Sequence, residues 1–158
     1  MKKIRNHSLF IKLISVFIVF LIPILSSCGY SKRSENILFD MTKNFPELPD
    51  GTVYLSSTEE HNQKSLIPDM INSLYHEGAA EYEFSLIEEY AVYISDFAKP
   101  CEIAVYKCFS RSDTNLIASM CLRRIEKLSV MLKGTAFSEI PLRAEVDISG
   151  HFVIVTMI

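Results

Sequence analysis

Cys28 is the one nucleophile in this sequence whose neighbours specify a reaction. It follows Leu25-Ser26-Ser27, behind which lies an apolar run from Leu13 to Leu25 with Lys2, Lys3, Arg5 and Lys12 ahead of it. A basic start, an apolar middle and small residues before a cysteine are the parts of a bacterial lipoprotein leader. The cations stay on the cytoplasmic side while the apolar run enters the bilayer. The two serines let a peptidase approach the backbone, and the Cys28 thiol is the nucleophile that takes a diacylglyceryl group. The alternative is an uncleaved membrane anchor, but the run of 13 residues is short of the ~20 a spanning helix needs, and Pro23 breaks it near the cleavage point. The expected product is a chain held in the cell membrane through diacylglyceryl on Cys28, facing the outside of the cytoplasm. Two acyl chains, at about 0.8 kcal/mol per buried methylene, anchor stably where one does not.

The other reactive side chains lack such a context. A Cys-His nucleophile needs a thiolate held beside a base, and no signature of one surrounds Cys101, Cys108 or Cys121. His61, His76 and His151 can join them only through tertiary folding. These cysteines also lack the close ligand pairs of structural zinc sites, so neither a metal nor another cofactor is expected. Cys101 and Cys108 fall on one strand, ~23 Å apart when extended, and cannot bridge each other there. A Cys108–Cys121 disulfide is geometrically open; burial of all three as small apolar side chains is the simpler expectation.

Among the carboxylates, Glu59-Glu60 reads as solvated surface, and a glycosidase pair among Glu81, Glu83, Glu88, Glu89 and Glu102 would have to face across a cleft. Glu102 precedes the apolar Ile103-Ala104-Val105 and is expected as a strand-edge charge that satisfies a loop or pairs with a lysine. Tyr93 and Tyr106 are expected on the exposed face of a hairpin, opposite Ile103 and Val105. With Glu102 they form a candidate interaction surface, suited to docking a protein partner at the cell surface. Cross-strand aromatic packing is the alternative. No catalytic residue is assigned.

The elements that must position these groups follow from periodicity. Ile37, Leu38, Met41 and Phe45 recur at helical spacing after Ser34, and Pro46 ends that helix. Val53-Tyr54-Leu55 is a candidate short edge strand. A second helix fits Leu66 to Tyr75, with Pro68 tolerated in its first turn and Gly78 beyond its end. Tyr90, Val92 and Ile94 alternate with Ala91 and Tyr93, and Glu102 to Tyr106 runs back as the other arm of a hairpin. The longest helix spans about Asp113 to Leu132, with Ser112 or Asp113 as its cap and Gly134 at its left-handed end. Leu142, Ala144, Val146 and Ile148 alternate as a half-exposed strand, Ser149-Gly150 turns, and Phe152 to Ile158 is apolar on both faces, as an inner strand is. The expected fold is α+β: an antiparallel four-stranded sheet with the long helix and the N-terminal helices packed on one face.

The domain plan is a removed signal peptide over 1–27, the lipidated cysteine and a short tether over 28–34, and one domain over 35–158. The leader holds four cations and no acid, which leaves 12 cations against 19 acids, a formal charge of −7, in the remaining 131 residues. That balance argues against nucleic acid as a partner. Extended, the six residues after Cys28 reach ~20 Å, so the domain is expected close to the bilayer.

Tyr90-Ala91-Val92-Tyr93-Ile94-Ser95, Glu102-Ile103-Ala104-Val105-Tyr106-Lys107, Arg124-Ile125-Glu126 and Gly150-His151-Phe152-Val153 together resemble the small Gram-positive, largely clostridial lipoproteins of domain of unknown function 4358. The resemblance spans about residues 66–158 and implies the fold and an extracytoplasmic location; it carries no catalytic residue with it. The chain departs from that pattern at Cys101, Cys108 and Cys121. The sequence thus points to a membrane-anchored lipoprotein domain acting as a non-catalytic interaction or accessory module, with binding of a small molecule or cell-wall fragment, and weak hydrolysis through Glu102 or nearby acids, as the alternative. Cys28→Ser is expected to abolish incorporation of a palmitate analogue and to leave a full-length precursor. Labelling that survives the substitution would refute the leader assignment.

Overall fold

Every side chain of the segment from Glu102 to Tyr106 is buried, whichever way it points. A strand with Ile103 and Val105 on one side and Ala104 and Tyr106 on the other must be covered twice, and that requirement organises the domain. The computed structural model describes residues 33–56, 64–96 and 99–158. Leu25, Ser26, Ser27 and Cys28, together with Glu59, Glu60 and His61, lie outside the described residues.

The elements in chain order are α1 (Ser34–Thr42), β1 (Gly51–Leu55), α2 (Pro68–Leu74), β2 (Ile87–Ser95), β3 (Glu102–Cys108), α3 (Thr114–Leu132), α4 (Glu139–Leu142), β4 (Glu145–Ser149) and β5 (Phe152–Met157). The α+β class holds, and the sheet is antiparallel in the order β1-β2-β3-β5-β4. It has five strands rather than four, because Gly51–Leu55 pairs along β2 as the fifth. Gly51 is needed where it stands: a Cβ there would lie 2.6 Å from the carbonyl oxygen of Ile94 and 2.6 Å from the Tyr93 ring.

The helices divide between the two faces, which corrects the expectation that all pack on one. Tyr75, Ile117, Met120 and Cys121, from α2 and α3 and their flanks, close over Val92, Ala104, Tyr106, Val153 and Val155. Leu38 of α1, backed by Ile37, Met41 and Phe45, closes over Ala91, Tyr93, Ile103 and Val105 on the other side. The physical reason is the pleat: successive residues of a strand point to opposite faces, so β2 and β3 present apolar side chains both ways. Ser34, at the start of α1, is tied to this sheet by its backbone N–H, which donates to Glu89 Oε1 at 2.8 Å.

Two local expectations shift. The strand expected from Leu142 begins at Glu145, since Glu139–Leu142 forms a short helix containing Pro141 and leaves Leu142 exposed. Asp113 precedes α3 without capping it through its side chain; a single 3-10 turn over Arg111–Asp113 leads in, capped by the Ser110 hydroxyl. The glycine expectations hold, with φ of +85° at Gly78, +79° at Gly134 and +63° at Gly150.

Candidate functional site

Register places the groups that form a concave site between the sheet and α3. Across three adjacent strands Ile94 pairs with Glu102 and Glu102 with Met157, so these three side chains stand in one row. The row faces α3, where Arg124, Leu128 and Leu132 recur every four residues and therefore stack along one helix side. Row and stripe are walls of a cleft of about 220 Å³, lined also by Ser95-Asp96, Pro100-Cys101 and Phe137.

The polar centre of the cleft is an ion pair. Arg124 Nε donates to Glu102 Oε2 at 3.2 Å, and a second guanidinium nitrogen donates to the Leu74 carbonyl at 3.1 Å. Both partners are largely removed from water, the Glu102 side chain 5% exposed and that of Arg124 13%. Desolvating two charges costs several kcal/mol per ion, so the pair persists only because each compensates the other. The expected partner of Glu102 was a lysine or a loop at a strand edge. β3 is instead the central strand, and its partner is an arginine.

Behind Glu102 lies an aromatic layer. The Tyr75 and Tyr106 hydroxyls hydrogen-bond to each other in the core, and both rings meet Phe84 edge-on or tilted. Burial raises both phenols well above the usual tyrosine range; Glu102 adds to this at Tyr75, and Tyr75 does so at Tyr106. The three residues expected as an interaction surface are thus separated. Tyr106 and Glu102 share the α3 face, Tyr93 lies on the α1 face with its hydroxyl donating to the Pro49 carbonyl, and all three are buried. The antiparallel register decides this: Tyr93 stands directly opposite Ile103, and residues directly opposite share a face.

Beyond the cleft, Glu83 forms a second centre that composition did not reveal. Its Oε1 receives Arg123 at 2.8 Å and lies 2.8 Å from His76 Nε2, while Oε2 is sealed without a partner among the described residues. The only sequence signal for it was a glutamate amid aromatic residues.

The thiols are free and buried. Seven residues apart on an alternating strand, Cys101 and Cys108 point to opposite faces, and Cys121 joins Cys108 under α3. Burial pushes the Cys108 thiol up to about 11, with Asp113 adding to it. Cys121 moves further in the same direction, through burial and then Glu102, and Cys101 is raised by burial with Lys99 opposing. Among the described residues no group of three or more His, Cys, Asp or Glu is placed to hold a metal ion. No family model, curated protein or solved structure matches the chain.

Two outcomes follow from these geometries. Arg124→Met should destabilise the fold by about 3–5 kcal/mol in denaturant titration, because it strands a buried carboxylate. Adding Glu102→Leu to it should recover most of that loss; a double variant as unstable as the single one would show that packing, not charge, holds the site. For the thiols, the folded state binds its protons more tightly than the unfolded chain does. Stability should therefore be full below the unfolded thiol range and fall as pH rises through the folded values, from about pH 9 upward. Iodoacetamide at pH 8 should leave the three core thiols unmodified until denaturant is added, as mass spectrometry would read; rapid native labelling of Cys121 would contradict this.

Proposed function

We propose that the chain is an extracytoplasmic lipoprotein, held in the cell membrane by diacylglyceryl on Cys28, whose α+β domain is a non-catalytic accessory module that binds a small ligand. Supporting the anchor are the leader residues around Leu25-Ser26-Ser27-Cys28 and the resemblance to small clostridial-type lipoproteins. The single observation that carries the binding reading is the cleft between the Ile94-Glu102-Met157 row and the Arg124-Leu128-Leu132 stripe. An apolar cleft with a few convergent polar groups is the usual form of a small-molecule site. Its volume exceeds that of a cavity of roughly 150 Å³ able to hold benzene, so a single substituted ring or a short branched chain fits.

The ionisable groups at the cleft suit holding rather than turnover, because Glu102 and Arg124 are engaged with each other. A protein partner at the cell surface is the second reading. Val130, Met131 and Leu142, each between 64 and 71% exposed on α3 and α4, favour it.

The binding reading is tested with the full chain in lipid nanodiscs, probed by fluorine NMR against empty nanodiscs. The probes are para-fluorobenzyl alcohol, para-fluorobenzylamine and para-fluorobenzoate. At least one should bind with millimolar affinity or better, and Leu132→Trp, which enlarges a half-buried side chain of the cleft wall, should remove that binding. If none of the three binds, or if Leu132→Trp leaves binding unchanged, the cleft is not a ligand site.

A further inference from the structure

We infer that the cleft selects ligands that carry a protonated amine on a small apolar body. The inference rests on the cleft being the binding site and names the chemistry it recognises. Its walls are mostly apolar, from Ile94, Leu128, Leu132, Phe137 and Met157, and its charged groups are Asp96, Glu102 and Arg124. The lining thus carries two carboxylates and one guanidinium, and that guanidinium already gives one nitrogen to Glu102 Oε2 and another to the Leu74 carbonyl.

Glu102 is left half-satisfied. Its side chain is 95% buried, yet only Oε2 has a donor among the described residues. The second oxygen is not among the sealed buried atoms, as Glu83 Oε2 is, and the residue lines the cleft. Solvent reaches that oxygen in the cleft, and a cationic donor that replaces the water there makes a charge-assisted bond, stronger than a neutral one, beside apolar walls. Asp96, an exposed residue of the lining, adds negative potential at the cleft.

The three ligand charge types separate on this geometry. An ammonium donates to the free Glu102 oxygen and leaves the ion pair intact. A hydroxyl donates there too, but only the acceptor of its bond is charged, and it brings no positive charge of its own to Glu102 and Asp96. A carboxylate meets Asp96 and Glu102 and gains Arg124 only by pulling it from Glu102, which leaves a buried charge uncompensated.

The test ranks the three fluorinated probes on the same nanodisc-held chain. Para-fluorobenzylamine should bind about tenfold or more tightly than the alcohol, and the benzoate should not bind measurably. The double variant Glu102→Gln, Arg124→Gln removes both charges and keeps an amide pair; it should lose most of the preference for the amine, leaving only what Asp96 supplies. The ranking on the unsubstituted chain decides the question even where the double variant does not fold. Alcohol binding as tight as that of the amine would overturn the selectivity while leaving the cleft as a site, and benzoate binding most tightly would overturn it likewise. A folded double variant that keeps the whole preference for amine would show that Glu102 is not its source.

Discussion

β3 carries apolar side chains on both of its faces, and everything else in the domain is placed by the need to cover it. α1 lies over Ile103 and Val105 and the α2–α3 layer over Ala104 and Tyr106, while β2 and β5 flank the strand on either edge. Burying a residue such as Ile or Val contributes about 1.5–3 kcal/mol, so leaving either face of β3 open would forfeit several such terms at once. The two-layer cover also explains why α1 starts where it does. Ser34 is buried and bonded to Glu89, so α1 is clamped to the sheet at its first residue.

The same constraint draws Glu102 inside. As the first residue of a strand that is central in the sheet, it has no solvent-facing direction, and its charge has to be met by whatever lies across from it. Arg124 is positioned to do so because Cys121, Leu128 and Arg124 itself share the buried side of α3. The wall beyond the pair stays open where side chains from Leu128 to Phe137 do not fill the space down to Met157. A buried, partly satisfied charge beside unfilled apolar volume is costly for folding alone. Sites that break the rules of economical packing in this way are where function concentrates.

Much of the fold was legible from short-range pattern. The face alternation of Tyr90 to Ile94, the pairing of Ile103 with Val105, the extent of the long helix and the inner character of Phe152 to Ile158 all follow from periods of two and 3.6, and the structure has them. The site was less legible. Tyr93 and Tyr106 differ by an odd number of positions, but whether they share a face depends on the hairpin register, and a shift of one residue would have reversed the answer. Leu142 fits an alternating strand by pattern, yet Pro141 sits in a turn of helix there and the pattern loses to it. The Glu83 centre joins residues 7 and 40 positions apart, which no local window contains.

Taken alone, the sequence determined the chemistry of the Cys28 leader as an expectation, the identity of nearly every helix and strand, the acidic balance, and the apolar character of β3. These are local properties, set by neighbours within one helical turn or one strand pleat. Only the tertiary structure decided that helices cover both faces, that the candidate tyrosines are core residues on opposite sides, and that Glu102 meets Arg124 22 positions away. Strand register and the rotation of α3 about its axis bring those groups together, and both are settled by packing the whole core at once.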